Sequence, residues 1–300
     1  MIKKNITAVI TLVSKNKECY LKHSKIINNL LDKYQIESIQ TKKLSQFVKD
    51  FLINIDNIIF ERIKTELNTM ILNGSDLCIQ NNLFRKKKIM ACDMDGTAIS
   101  IETIDLIGEK ILKNDHISEL TEEAMNGKVN FNKSIIERTK ILRGISIKEI
   151  KKLINNITLT KDIVTVVKTL NNNGCYTILI SGGYNLIANI IGDKIGFNEV
   201  VSNVPKTEDG KLTGKLEGTV IDGKGKLNFL KKKMKLNNVN KYETIAVGDG
   251  QNDIDMIKYS GLGVSWRGFP NVNKVADARA NYSFKSILYF QGYSDSEISF

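Results

Sequence analysis

The apolar run Ile89-Met90-Ala91-Cys92 ends abruptly in Asp93-Met94-Asp95-Gly96-Thr97, and Lys88 bounds it on the other side. Such a run reads as a strand buried on both faces that surfaces at its C-terminal end. It therefore requires an α/β sheet with covered faces, and ligands of open α/β sheets sit beyond the carboxyl ends of the strands. Asp93 and Asp95 become the candidate chemistry. Two residues apart, they can face one cavity once the chain leaves the pleat, and Gly96 permits the sharp turn that follows. Alone, Asp-x-Asp-x-Thr also fits two turn carboxylates capping a helix.

The rest of the chain must decide between these readings. Its 300 residues, 42% of them hydrophobic, can bury a sizeable core and suffice for two domains. No apolar run approaches a membrane span, and Met1–Asn5 leads into a strand-like segment rather than a signal peptide, so a cytoplasmic protein without a membrane partner is expected. Cys19, Cys78, Cys92 and Cys175 lie far apart, each in or beside an apolar segment. This favours reduced, buried thiols over disulfides or a zinc site. The formal charge of +11 raises the question of nucleic acid. The lysines are scattered, however, and the runs at Arg85–Lys88 and Lys231–Lys233 accompany no base-reading motif. With only two prolines and abundant Lys, Asn and Ile, the charge reads as compositional drift of an AT-rich coding sequence. A nucleic-acid partner is disfavoured, while the same field suits a small anionic substrate.

Residues 6–13 are strand-like, and Leu21, Ile26, Ile27, Leu30 and Leu31 recur at helical spacing. Two short strands are expected near Ile36–Thr41 and Gln46–Ile53. A helix carrying Ile58, Ile59, Ile63, Leu67 and Met70 follows, then a strand at Asp76–Gln80. The order βαββαβ is that of a ferredoxin-like unit over residues 1–85. His23 is expected on the surface of its first helix, and the basic stretch 85–88 as a hinge into a second domain, 86–300. Within that domain, residues 100–158 show amphipathic helical patterns and form a helical insertion. A helix at about 161–172 and the strand Cys175–Ile180 follow. Further strands are expected at Glu199–Asn203, in a Gly-punctuated hairpin at 211–221, at Thr244–Val247 and near Leu262–Val264. Alternating strands and helices imply a doubly wound parallel sheet.

Three further elements bear on the carboxylates. Ser181-Gly182-Gly183 follows a buried strand and precedes a helix, supplying a hydroxyl and open backbone N–H groups for a phosphate; an ordinary capped turn would look the same. Lys226 opens a helix after Asp222–Gly225, with Lys224 as its competitor. At Ala246–Asp253 a strand again ends in acids and glycines, among them Asp249, Asn252 and Asp253. Two unit charges about 4 Å apart interact by about 4 kcal/mol at an effective dielectric near 20, so Asp93, Asp249 and a phosphate cannot share a pocket unaided. A hard divalent cation with oxygen ligands is required, and Mg²⁺ fits.

In this order and at these strand ends, the four elements resemble the haloacid dehalogenase (HAD) superfamily of aspartyl-phosphate phosphatases. Within it, the stretches Asp93–Glu102 and Ala124–Arg138 resemble the phosphoserine phosphatases. The likeness covers roughly residues 88–290, and the N-terminal unit resembles an ACT-like domain by pattern alone. The resemblance implies Asp93 as nucleophile and Asp95 as proton donor and acceptor. It implies Mg²⁺ held by the Asp93 carboxylate, the Asp95 main-chain carbonyl and Asp249, with Asn252 and Asp253 supporting the metal and its waters. Ser181 and the Gly182 N–H would hold phosphoryl oxygens, and Lys226 would neutralise charge. In the helical insertion, acting as a lid, Glu102 and Arg138 would take the ammonium and carboxylate of O-phospho-L-serine. Met125 and Phe131 match apolar positions that close over the substrate, though residues of these types in a helical segment are more often core. Arg143 and His116 receive no role. Gly96 departs from a Ser frequent in this subfamily. A homodimer through the ACT-like unit is a further expectation. The alternatives are another small phosphate ester such as phosphohomoserine, phosphoryl transfer to another alcohol, or a non-catalytic regulator or nucleic-acid binder.

Overall fold

The computed structural model describes residues 5–70, 72–113, 116–154 and 157–299. The chain begins with β1 (Asn5–Ser14), α1 (Lys17–Lys33), β2 (Ser38–Ser45), β3 (Val48–Asp56), α2 (Asn57–Thr69) and β4 (Ser75–Asn81). The Asn16 and Asp56 side chains accept backbone N–H groups at the starts of α1 and α2, satisfying donors the helices cannot. After β5 (Ile89–Cys92), the described residues of the expected insertion include the α-helices α3 (Thr103–Ile107), α4 (His116–Met125), α5 (Phe131–Ile141) and α6 (Ile147–Ile154), with a π-helical turn at Gly108–Leu112 after α3. Then come α7 (Ile163–Asn172), β6 (Tyr176–Tyr184), α8 (Asn185–Ile195), β7 (Glu199–Glu208), β8 (Lys211–Glu217), α9 (Gly223–Leu236) and β9 (Thr244–Gly248). The chain closes with α10 (Ile254–Tyr259), β10 (Leu262–Trp266), α11 (Pro270–Asn273), β11 (Ala278–Ala280) and α12 (Ser286–Phe290).

The strands form one sheet in the order β2-β3-β1-β4-β11-β10-β9-β5-β6-β7-β8. From β11 to β7 neighbouring strands are parallel, as the doubly wound reading requires. The βαββαβ unit pairs antiparallel in the ferredoxin-like order and joins the parallel part through the antiparallel β4–β11 contact. Strand β5 lies between β9 and β6. Ile89 and Ala91 face one hydrophobic core, Met90 and Cys92 another, and all four are fully buried. The run is continuous because both faces are covered, and a large aliphatic side chain so buried contributes about 1.5–3 kcal/mol.

Several local expectations are corrected. The hairpin is built from β7 and β8, with Glu208 opposite Lys211 across Asp209-Gly210, both at positive φ. It therefore begins before residue 211, and Asp-Gly is the turn chemistry that marks it. His23 is buried, 3% exposed, with Nδ1 2.7 Å from Ser75 Oγ. Residues 85–88 are no free hinge: Arg85 pairs with buried Asp50 through both Nη atoms at 2.7 and 2.8 Å, and Lys87 Nζ donates to the Tyr242 carbonyl. All four cysteines are free thiols; three are buried, and Cys19 is half-buried. Among the described residues no helix is long and apolar enough to cross a membrane.

Candidate active site

The register of three adjacent strands assembles the site. Cys92 pairs with Leu179 on β6 and with Val247 on β9, so Asp93, Ser181 and Asp249 stand at nearly one level towards the carboxyl edge of the sheet, Ser181 still within β6. Gly96 stands at φ +69°, and a Cβ there would run into the Asp249 carboxylate. Thr97 Oγ1 donates to Asp249 Oδ1 at 2.6 Å and orients it. The turn after β5 and the loop after β9 thus interlock, which is a physical reason for glycine at position 96 in this chain.

Asp93, Asp249 and Asp253 are buried and each offers an oxygen within 4.8 Å of the others'. Lys226, fully buried on the first turn of α9, pairs with Asp93 Oδ1 and, at 2.7 Å, with Asp253 Oδ1. Lys224 is exposed, which decides between the two lysines. Asp253 Oδ2 accepts the N–H groups of Asp249 and Gly250 at 3.1 and 3.0 Å, so both its oxygens are engaged in organising the loop. Burial and the Asp253 charge push the Asp93 carboxyl well above its ordinary value, and burial with Asp253 pushes Asp249 up to about 7. Burial alone would lower the Lys226 ammonium, but Asp253 and Asp93 raise it instead. One ammonium does not balance three carboxylates. This all-oxygen donor set fits a hard divalent cation, with Asp93 and Asp249 retaining oxygens for it.

Asp95 points the other way, its Oδ1 accepting the Thr103 N–H at 2.9 Å and its Oδ2 3.5 Å from Ser181 Oγ. Burial raises its carboxyl, as a proton donor requires. Ser181 Oγ accepts the Gly183 N–H at 2.8 Å, and the Asn203 side chain ties the Gly182 carbonyl to the Ile221 N–H, fixing this turn relative to the entry of α9.

The helical insertion lies over these groups. Asp93, Asp95, Glu102, Ile104, Met125 and Phe131 line a cavity with Arg138, Gly182, Gly183 and Asn252; it measures about 10 Å³, room for about one water. Met125 and Phe131 are thus at the cavity rather than in a remote core. A Cβ on Gly182 would lie 2.5 Å from Phe131 Cζ, so glycine allows the ring to close down. Asn132, next to Phe131, donates to Asp222 Oδ2 at 2.9 Å, and Asp222 Oδ1 caps α9 through the Gly225 N–H. Arg138 is 2% exposed. Its Nη1 donates to Thr121 Oγ1 at 2.8 Å, while its Nε is buried with no hydrogen-bond partner among the described residues. Burial, then the charges of Asp95 and Asp249, pushes the Glu102 carboxyl well above its ordinary value.

Of the twelve residues singled out in the sequence, Asp93, Asp95, Glu102, Met125, Phe131, Arg138, Gly182 and Asn252 line the cavity, while Ser181 contacts Asp95, Lys226 pairs with Asp93 and Asp253, and Asp249 and Asp253 cluster with Asp93 behind it. Thr97, Asn203, Asp222, Asp105 and Thr121 escaped sequence reasoning. Each acts through a partner distant in the chain, and only Thr97 belongs to a recognisable motif.

Comparison with known proteins agrees with this geometry. The profile of the haloacid dehalogenase-like hydrolases matches residues 90–258, more than half of the chain. The chain is 33% identical over 266 residues to the phosphoserine phosphatase of Saccharomyces cerevisiae, covering 86% of each protein. A substrate-bound phosphoserine phosphatase structure superposes with a TM-score of 0.65 at 34% identity, covering 68% of this chain and 98% of that one. A HAD family hydrolase from Salmonella enterica serovar Typhi matches 96% of this chain and 99% of its own with a TM-score of 0.82; at 22% identity it speaks for the fold, N-terminal unit included. A strand-end carboxylate cluster, its buried lysine and a helical cover thus place this chain in the haloacid dehalogenase-like hydrolase family.

Proposed function

We propose that the protein is a Mg²⁺-dependent phosphatase that hydrolyses O-phospho-L-serine to L-serine and phosphate through an aspartyl phosphate. One observation carries the substrate: the Arg138 Nε, buried and without a hydrogen-bond partner among the described residues, in the same cavity as Glu102 and Asp93. A buried guanidinium N–H left without an acceptor is costly, and a ligand carboxylate would satisfy it. Glu102, whose carboxyl burial and neighbouring carboxylates push well above its ordinary pKa, gains most from an incoming ammonium. A small zwitterion carrying a phosphate answers both. The relatives named phosphoserine phosphatase support the same reading.

Asp93 attacks phosphorus as its carboxylate, with Lys226 neutralising charge beside it. Asp95 gives its proton to the departing serine oxygen, then takes one from the water that hydrolyses the aspartyl phosphate. The Ser181 hydroxyl and the Gly182 N–H hold phosphoryl oxygens. Mg²⁺, held by the Asp93 and Asp249 carboxylates and the Asp95 carbonyl, would polarise the phosphoryl group and screen the like charges. Asp253 contributes by holding the Asp249 loop and Lys226. The helical segment at about 100–158 serves as the lid of a domain spanning 86–300. Since the covered cavity holds about one water, the lid must open for entry.

The test is phosphate release from O-phospho-L-serine, sugar phosphates and p-nitrophenyl phosphate, with Mg²⁺ and after chelation. Strong, Mg²⁺-dependent turnover of phosphoserine is expected. In Arg138→Ala, kcat/KM for phosphoserine should fall by about 10²–10³, the cost of removing one partner of a buried charge pair, while the aryl phosphate survives. Equal turnover across the panel would overturn the substrate and leave the phosphatase chemistry standing.

A further inference from the structure

Arg138 can present its free Nε edge to a ligand only if its guanidinium is held at one rotation. Three different lid helices meet at that group. Arg138 comes from α5, Thr121 from α4 and Asp105 from α3. Arg138 Nη1 donates to Thr121 Oγ1 at 2.8 Å, and the Thr121 hydroxyl in turn contacts Asp105 Oδ1. Asp105 Oδ1 itself stands 4.0 Å from Arg138 Nη1, beyond a direct hydrogen bond. Phe131 covers the group, with its ring centroid 6.0 Å from Arg138 Cζ.

We infer that Asp105 and Thr121 are positioning residues that set substrate specificity by fixing the rotation of the Arg138 guanidinium. The inference rests on the reading of Arg138 as the cation for a substrate carboxylate.

The reasoning is one of proton count. A threonine hydroxyl has a single proton and two lone pairs. Since Thr121 accepts from Arg138, its proton is free for an acceptor, and two are in range: Asp105 Oδ1 and the Ile117 carbonyl at 3.1 Å. The carboxylate is the closer and charged acceptor, so the hydroxyl turns towards Asp105 and its lone pair towards Arg138. Burial pushes the Asp105 carboxyl up to about 6, against the opposing pull of the Thr121 hydroxyl and the Arg138 charge. A direct, bidentate Asp–Arg pair would consume the fork that a ligand needs. With the hydroxyl interposed, Nη1 is engaged and Nε has no hydrogen-bond partner among the described residues. Arg138 and Thr121 are 2% and 3% exposed, so water cannot replace the contact.

The experiment compares Thr121→Val, Thr121→Ser and Asp105→Ala in the full-length protein with Mg²⁺. Thr121→Val should raise KM for O-phospho-L-serine by about 10–50-fold, with kcat and the turnover of p-nitrophenyl phosphate within about threefold of the parent; this corresponds to loss of one charge-assisted hydrogen bond. Thr121→Ser, which keeps the hydroxyl, should restore KM, and Asp105→Ala should follow Thr121→Val. In combination with Arg138→Ala, neither variant should add a further loss on phosphoserine, because both act through Arg138. Equal losses on both substrates, or full additivity with Arg138→Ala, would overturn the inference. If Thr121→Val does not fold, Asp105→Ala carries the same comparison. A separate readout is the Arg138 Nε–H resonance in NMR spectra, identified by its absence in Arg138→Lys. Broadening or loss of that signal in Thr121→Val supports the positioning role even if the parent shows no preference for phosphoserine, which would indict the substrate reading instead. A signal unchanged in Thr121→Val and in Asp105→Ala would reject the role.

Discussion

Two regions of this molecule bury charge, and they do so in opposite ways. At the seam between the βαββαβ unit and the parallel strands, Asp76 accepts the N–H groups of Asn281, Tyr282 and Ser283 and the hydroxyl of Ser286. Beside it, Arg85 holds Asp50 through both Nη atoms, and also Thr11 and the carbonyls of Tyr289 and Phe290. Burial lifts the Asp76 carboxyl, but every group facing it pulls the other way. In the pocket the neighbours of Asp93 include two further carboxylates that add to the effect of burial, and the Arg138 Nε has no hydrogen-bond partner among the described residues. Seam charges are satisfied by the protein itself. Pocket charges are only partly satisfied by the protein, and that difference separates buried charge that holds a fold from buried charge that recognises a ligand.

The largest effect expected from this contrast is chemical. Asp93→Asn should lower phosphate release by at least about 10⁴-fold, the scale of losing a nucleophile. The variant should still fold, because Lys226 keeps Asp253 and one crowding carboxylate is gone. Unchanged turnover would remove Asp93 from the mechanism and leave the pocket's charge unexplained.

The seam should respond in stability instead. Arg85→Ala strands Asp50 in the interior and should cost about 3–5 kcal/mol in urea unfolding, with activity per folded molecule within about twofold of the parent. A loss below about 1 kcal/mol would show that water reaches Asp50 and that the seam is not the closed network described above.

A smaller effect separates the regions by pH. In the chelated protein Asp249 titrates near 7 instead of its ordinary 3.8. Between about pH 4 and 7 the folded state therefore holds a proton that the unfolded chain has released. The free energy of unfolding should then fall as pH rises, by up to about 1.4 kcal/mol per pH unit for each such proton. Saturating Mg²⁺ should flatten the slope. A flat profile after chelation would mean that the pocket carboxylates are content without a cation.

What the sequence reveals follows the range of each interaction. The strand ends at Asp93, Ser181 and Asp249 were legible because an apolar run turning into acids or glycines is a local pattern, and the sheet sets their register. The junction of the two strand systems was not: β11 has three residues, too few for periodicity, and its pairing with β4 crosses most of the chain. Arg85 reads as part of a hinge in the sequence because its partner Asp50 lies 35 residues away. His23 shows a signal that was available. It stands four residues before Ile27 on the buried face of α1, whereas Leu21 of the same helix is 57% exposed. The Asp105–Thr121–Arg138 chain spans three helices whose packing no spacing rule supplies.

The smallest expected effect concerns a lysine that belongs to neither region. Lys224 and Lys226 are two residues apart on α9, about 200° around the helix, so burying one directs the other to solvent. Lys224 is exposed on the first turn, where the helix dipole disfavours a cation. Lys224→Ala should leave kcat/KM within about twofold and raise stability by a few tenths of a kcal/mol, measurable by urea unfolding. Lys226→Ala, by contrast, removes the ammonium that pairs with both Asp93 and Asp253 and should abolish turnover. If Lys224→Ala instead costs tenfold or more, restored by lowering the salt concentration, the net positive field of this chain steers its anionic substrate. Solvent-exposed charge would then join buried charge in serving the pocket.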